Sequence, residues 1–331
     1  MSAPLGLLVM AYGTARGPED VERYYTDIRG GRPPSPEHLE ELLERYAAIG
    51  NRFPLLDITR AQAEGLEREL AAGGLAVRAY LGMKHSPPFI EEAVAAMRRD
   101  GVERAVGIAM APHWSAMSVE TYVERVERAA GEGGPGFTFV RSWHDHPGFV
   151  RFLAGRVEEA LSRLAPRQRE GARVVFTAHS LPTRRLQDGT LRCKTCRACP
   201  EGCTYARQLE ETAELVAEEL GLPDPAVAWQ SAGRTSDPWW GPPLEEVIRA
   251  LAAEGRPAVV VCAAGFVADH LEVLYDLDLE ARAVAEEAGL RFERTEMPNA
   301  DPAFLGVLAD VVRGHLAGAP EGPATDREGS G

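Results

Sequence analysis

Apolar and polar positions change period along the chain. Near-continuous apolar runs occur at GLLVMAY, RAVGIAMA, RVVFTA and PAVVVCAA. Runs this short suit strands covered on both faces, as in parallel sheets. Between them, apolar residues recur every three or four positions over 36–48, 58–72, 88–99, 148–164, 204–220, 243–254 and 302–316. That spacing puts one apolar stripe on a helix. Strands alternating with helices predict βαβ units around parallel sheets. The pattern also repeats. LLVMAYGT aligns with VVFTAHSL, and AYLGMKHSPPF…SAMSVETY aligns with AWQSAGRTSDPWWGPP…VADHLEVLY. The expectation is an α/β chain of two similar open parallel sheets flanked by helices, with a cleft between them. The domains are expected at 1–155 and 156–316, with a disordered tail over 317–331. Ligands of open sheets bind beyond the carboxyl ends of the strands. Those ends carry Tyr12, Lys84 and His85, Pro112 and His113, His179, Ser231 to Thr235, and Gly265 to Glu272.

Length and composition narrow the function. With 331 residues and 45% hydrophobic content, two domains with proper cores are expected. No run of eighteen apolar residues is present, and the start, MSAPLGLLVMAYG, lacks a basic leader region, so a cytoplasmic protein is expected. Cysteines in that compartment are metal ligands more often than disulfides. The net charge of −14 argues against nucleic-acid binding, which needs a basic face. An anionic substrate would need a local arginine patch. Only Lys84 and Lys194 are lysines, and each falls in a motif considered below. Glycine-rich phosphate loops of the G-x-G-x-x-G and G-x-x-x-x-G-K-[ST] kinds are absent, as is a G-x-S-x-G elbow.

Four groups of residues carry candidate chemistry. Cys193, Cys196, Cys199 and Cys203 form a C-x2-C-x2-C-x3-C run that opens fourteen residues after His179. Thiolates at such spacing hold an iron–sulfur cluster or zinc; the spacing does not separate these, and disulfides are the bland alternative. Cys262, within VVVCAA, reads as core. His179 ends an apolar strand, where an imidazole can bind a metal or move a proton; a histidine satisfied by a backbone carbonyl is the plain alternative. Glu272, Asp276 and Glu280 lie four apart, which on a helix is one face. They could pass cations or protons along it, or form an ordinary solvated acidic face. Asp269 and His270 add a helix start and a further ligand. Lys84 and His85 enter a double-proline turn, and Tyr12 ends the first strand facing the same cleft.

Taken in order, LLVMAYGT, ERYYTDIRGGRPP, GMKHSPPFIEEAV, APHWSAMSVETY, TAHSLP, WQSAG, DPWWGP and GFVADHLEVLYDLDLE resemble the motifs of ferrochelatases over residues 5–316. The likeness is to the Gram-positive type, which inserts ferrous iron into coproporphyrin III to give coproheme in heme biosynthesis. It implies the class II chelatase fold, two Rossmann-like domains around one active-site cleft. It also implies that His179 and Glu272 face each other across the macrocycle to handle metal and take pyrrole protons, with Tyr12 an iron ligand on the opposite face. Arg29, Arg45, Lys84, His85 and Tyr122 match positions around the substrate, and Asp276 and Glu280 match an acidic ridge. Arg29, Arg32, Arg45 and Arg52 are the rim candidates for the four propionates. Phe53 stands where the family carries a serine before proline, so that hydroxyl contact is lost.

The insert over 190–204 is similar to an internal segment of those bacterial ferrochelatases that hold a 2Fe–2S cluster on Cys193, Cys196, Cys199 and Cys203, which ranks 2Fe–2S ahead of 4Fe–4S and zinc. The partners implied are a porphyrin, ferrous iron as substrate and the next heme-pathway enzyme, with a monomer as the assembly. Protoporphyrin IX as substrate, cobalt insertion and a non-catalytic tetrapyrrole carrier are the alternatives on the same fold.

Overall fold

A computed structural model describes residues 4–185, 189, 191–194, 203–233 and 235–318. Cys196 and Cys199 lie outside the described residues. The elements run β1 (Leu5–Ala11), α1 (Val21–Ile28), α2 (Pro36–Ala48), α3 (Leu55–Ala72), β2 (Val77–Met83), α4 (Ile90–Arg99), β3 (Arg104–Ala109), α5 (Val119–Ala130) and β4 (Gly136–Val140). Then follow α6 (Pro147–Ser162), α7 (Pro166–Gly171), β5 (Arg173–His179), the short strands β6 (Thr183–Arg185) and β7 (Leu191–Cys193), α8 (Thr204–Leu220), β8 (Ala226–Gln230) and α9 (Leu244–Ala253). The chain closes with β9 (Ala258–Cys262), α10 (Leu271–Leu274), a π-helical turn (Asp276–Ala281), α11 (Arg282–Glu287), β10 (Arg291–Arg294) and α12 (Pro302–Gly318).

Two parallel four-stranded sheets result, ordered β2-β1-β3-β4 and β10-β9-β5-β8. Read from its other edge, the second sheet is β8-β5-β9-β10, so each half places its strands in the order second, first, third, fourth. The repeat seen in the sequence is therefore a repeat of topology. It extends to the proline-rich loops: Met83 N donates to Pro88 O, and Trp229 N donates to Pro242 O at the same place in the second half.

The apolar strands are covered on both faces. One continuous core joins the inner faces of both sheets, taking Leu7, Val9, Val106 and Ile108 from one and Phe176, Ala178, Val260 and Cys262 from the other. Helices α3, α6, α8 and α12 fill the space between. The outer faces are closed by α4 and α5 on the first sheet and by α9, α10 and α11 on the second. Helix α6 links the sheets, so the residue 155/156 boundary falls inside a helix. Helix α12 returns to pack on α3 and extends to Gly318; residues 319–331 lie outside the described residues. A small satellite core of Ala15, Val21 and Tyr46 holds the α1–α2 excursion and reaches Leu271.

One expectation is corrected. The segment after Glu272 is not a regular α-helix: Leu279 N and Glu280 N both donate to Tyr275 O, and the turn over 276–281 is π-helical. Such wide turns insert a residue into a helix and recur at functional sites.

Candidate active site

The carboxyl ends of β1, β2, β5, β8 and β9 converge on one cleft. Two glycines set its walls. Gly13 has φ +107°, and a Cβ there would lie 2.8 Å from Ser86 Oγ, so the turn after Tyr12 is closed to side chains. Gly265 carries the loop after β9 against β5: a Cβ would lie 2.4 Å from the Cβ of Ala178. Its N–H donates to Thr177 O, which brings the GFVADH loop beside His179.

His179 Nε2 lies 3.6 Å from Glu272 Oε1. Its other nitrogen, Nδ1, is held by Ser180 O. Glu272 is shared, because His270 Nε2 lies 3.4 Å from Oε2 while His270 Nδ1 meets Ala268 O. Gln230 Nε2 donates to Glu272 O at 3.2 Å and is itself oriented by Thr177 Oγ1. Burial opposes a charge on His179, but the Glu272 carboxylate outweighs it and pushes the imidazole pKa up to about 9. Burial acts on Glu272 in the same way and is overcome by His179 and His270, so its pKa falls well below the carboxylate range. Both shifts favour imidazolium against carboxylate at neutral pH.

The acidic ridge follows. Asp276 is buried and accepts from Arg45 Nη2 and Ser231 Oγ. Burial raises its pKa to about 6; Arg45 opposes this, while the neighbouring Glu272 and Glu280 charges add to it. Ser231 adopts φ 59°, an uncommon conformation for a residue with a side chain, and that bend delivers its hydroxyl to Asp276. Glu280 is exposed. Glu272 and Glu280 both act on Asp276 through space, so the three carboxylates remain neighbours despite the π turn, with Asp276 buried and Glu280 at the surface.

The opposite wall carries Tyr12, 43% exposed toward the cleft. Surrounding protein, Glu272 and Asp27 raise its phenol pKa. Its ring lies 4.6 Å from that of His85, whose Nδ1 is 2.7 Å from Asp27 Oδ1. Burial lowers the His85 pKa, with Asp27 opposing. A cavity of about 250 Å³ lies behind this pair, lined by Thr14, Arg16, Tyr24 and Asp27 among others. Lys84 Nζ sits 5.8 Å from the Tyr12 ring and 5.6 Å from the Tyr122 ring; burial, with Arg125 adding, lowers its pKa to about 8. Tyr122 is buried and forms wall, not rim.

Of the arginines, Arg45 is joined to the ridge and lies 4.6 Å over the Tyr275 ring. Arg29 stacks on Tyr25, and its buried Nε has no hydrogen-bond partner among the described residues. Arg32 and Arg52 are exposed. Phe53, in place of the expected serine, stacks on Tyr46 at 4.3 Å and is absorbed into the satellite core. Sequence reasoning passed over Asp27 and Gln230, although both lie within quoted motifs, and named Ser231 only as part of a strand end; nothing in one sequence shows which partner a polar side chain will meet.

Of the four cysteines in the run, Cys193 and Cys203 fall among the described residues. Cys193 and Cys203 are buried, and their Sγ atoms stand 3.0 Å apart. That exceeds a covalent S–S bond by about 1 Å. The Cys193 contact, against burial and with the help of N–H groups at the start of α8, lowers the Cys203 pKa to about 7. Converging buried sulfurs poised to ionise fit a thiolate-held metal centre. A second grouping, His144, Asp145 and Glu211, is accounted for by a 2.9 Å pair of His144 Nε2 with Glu211 beside two largely exposed carboxylates.

A ferrochelatase family model matches residues 4–316. The chain belongs to the ferrochelatase family. It is 46% identical over 316 residues to the coproporphyrin III ferrochelatase of Anoxybacillus flavithermus, covering 94% of this chain and 96% of that protein. It is 46% identical to that of Bacillus subtilis (93% and 96% covered) and 42% identical to that of Listeria monocytogenes (94% and 98%). Among solved structures, SirB from Bacillus subtilis with Fe3+ is similar at a TM-score of 0.57 and 12% identity, covering 95% of this chain and 96% of that one. CbiX, described as the terminal enzyme of siroheme biosynthesis in denitrifying bacteria, is similar at 0.53 and 13% (93% and 98%). These structures share the ferrochelatase chain's fold of two helix-flanked parallel sheets. Among the described residues, no helix is long and apolar enough to cross a membrane.

Proposed function

We propose that this ferrochelatase inserts ferrous iron into coproporphyrin III, releasing two pyrrole protons and giving coproheme in heme biosynthesis. The observation that carries the reading is the His179–Glu272–His270 cluster, whose carboxylate is near enough to Tyr12 to act on its phenol. Imidazole, carboxylate and phenol bind ferrous iron weakly enough to pass it on. Iron(II) approaching Glu272 would drive the proton of His179 out along the Asp276–Glu280 ridge to solvent, and the neutral ring would then take the two pyrrole protons in turn, passing each on by the same route. Asp276, with a pKa near 6, is suited to hand protons toward exposed Glu280. Arg29, whose guanidinium makes no ion pair among the described residues, is the first candidate for a propionate. Arg45 acts chiefly by pinning Asp276, while Lys84, His85 and Tyr122 shape the Tyr12 wall.

In this reading Cys193, Cys196, Cys199 and Cys203 hold a 2Fe–2S cluster, with 4Fe–4S and zinc as lesser fits. Bound there, the group would supply one-electron chemistry and a cross-link across the loop. A cytoplasmic monomer that passes coproheme to the next heme-pathway enzyme completes the proposal. The test is anaerobic turnover of ferrous iron with coproporphyrin III and protoporphyrin IX in parallel. Faster loss of the coproporphyrin free-base bands supports the reading, and faster protoporphyrin turnover overturns the substrate assignment. His179→Ala should abolish insertion while sparing porphyrin binding; unchanged turnover would sink the site. Iron, sulfide and zinc analysis of protein purified without oxygen decides the cluster.

A further inference from the structure

Tyr205 belongs to neither group of residues, yet it touches both. It lies on the first turn of α8, two residues after Cys203, which caps that helix. Its hydroxyl donates to His179 O at 3.2 Å. The peptide that follows His179 is thereby held at both ends, because its N–H, that of Ser180, donates to Gln230 O at 2.7 Å. Ser180 O in turn takes His179 Nδ1. Ser180 O lies on the next peptide, so the direction of Nε2 toward Glu272 depends on where Ser180 sits, and the peptide that places Ser180 is fixed from one side by Tyr205. The Tyr205 ring has little room to adjust, with Trp229 at 5.6 Å and the edge of His113 at 6.1 Å.

The other sulfur is tied to the same loop. Cys193 pairs across β6–β7 with Thr183, and Lys194 N donates to Pro182 O. Thr183 N and Oγ1 both donate to Pro238 O. Residues 179–183 thus lie between the carrier of one sulfur and the carrier of the other. A small cavity beside the sulfurs is lined by Leu181, Tyr205, Trp114 and Met117.

We propose that Tyr205 is a positioning residue for His179, and that through it the state of the Cys193–Cys203 site sets how well His179 is aimed at Glu272. The inference rests on the chelatase reading above. Loading the thiolate site fixes the first turn of α8 and with it the Tyr205 hydroxyl. Emptying the site or removing one sulfur lets that turn shift, and the His179 peptide loses its anchor. Misplacement by about 1 Å at a reacting group costs up to about 100-fold in rate.

The test uses the full chain labelled with 15N-histidine. Tyr205→Phe should lower kcat about tenfold or more, leave KM for coproporphyrin III unchanged, move the His179 ring signals and leave the metal content as in the parent. Cys203→Ser should move the same signals in the parent but not further in the Tyr205→Phe background, and the two kcat losses should not multiply. Should Cys203→Ser fail to fold, Cys193→Ser replaces it in the cycle. Parent-like kcat and His179 signals in Tyr205→Phe, or multiplying losses, overturn the link. Because His179→Ala is measured alongside, an active His179→Ala would point instead to failure of the chelatase reading.

Discussion

Tyr12 and His179 occupy one place in two copies of a scaffold. Each follows an alanine, Ala11 or Ala178, at the exit of the strand that lies second in its sheet. Glu120 and Glu272 form a matching pair, each the second residue of the helix that follows the third strand of its half. Their surroundings differ. Burial raises the Glu120 pKa, but Arg141 and Trp114 Nε1 outweigh it and hold it low. Glu272 is held low by two imidazoles. An arginine keeps its proton at any working pH, so Glu120 is committed to its partner. Imidazoles can give theirs up, so Glu272 can exchange a proton for a cation. The scaffold supplies the position, and the titration range of the partner decides whether that position can do chemistry.

The largest test of this contrast is a matched pair of neutral variants. Glu272→Gln should cut turnover by about 100- to 10,000-fold, while Glu120→Gln should stay within about twofold, the range of a surface change; anaerobic loss of the porphyrin bands measures both. Equal losses would mean that the halves do not differ in the way described. Protonation gives the second test. In the parent, His179 carries a proton below a pKa of about 9, so kcat/KM should rise with pH toward that value as the neutral ring becomes available. Glu272→Gln removes the largest charge that raises it and leaves burial opposed only by Ser180 O and Asp276, so the His179 pKa should fall well below 9 in an NMR titration; a value still near 9 would refute the cause assigned.

A smaller effect is expected at the ridge. Burial disfavours the Asp276 charge more than Arg45 favours it, so Asp276→Asn should stabilise the fold at neutral pH by about 1–2 kcal/mol in denaturant unfolding. A loss instead would show that the Arg45 pair outweighs burial. The smallest concerns Phe53→Ser, which gives up the ring contact with Tyr46 at about 0.5–1.5 kcal/mol. It should lower KM for coproporphyrin III if the hydroxyl reaches a propionate, and an unchanged KM would place that rim elsewhere.

The sheets, the repeat and most helices were legible because buried parallel strands and amphipathic helices each leave a period in the sequence. GLLVMAY and RVVFTA could hardly be anything else. The π turn at 276–281 was not legible, since DLDLEA satisfies an α-helix equally well and the wide turn is fixed by what Tyr275 and Asp276 pack against. The approach of His179 to Glu272, 93 positions apart, follows from strand order, and only the family resemblance placed the two together in advance. Arg45 was read as a rim residue; that its guanidinium meets Asp276 depends on how the α1–α2 excursion folds over the cleft. Asp27 and Tyr205 carried no signal beyond their residue type.

The shared core has a mechanical consequence. Because Leu7 and Phe176 belong to one packed interior, the two sheets cannot swing as separate jaws without opening that shared core. The gap between them is a fixed gauge, cut once when the chain folds. Compliance toward substrates of different thickness or pucker must come from the flap over residues 13–54, which rests on its own small apolar patch. Slow hydrogen exchange in β1 and β5 alike, with fast exchange confined to that flap, would be the signature of a rigid frame with one soft edge.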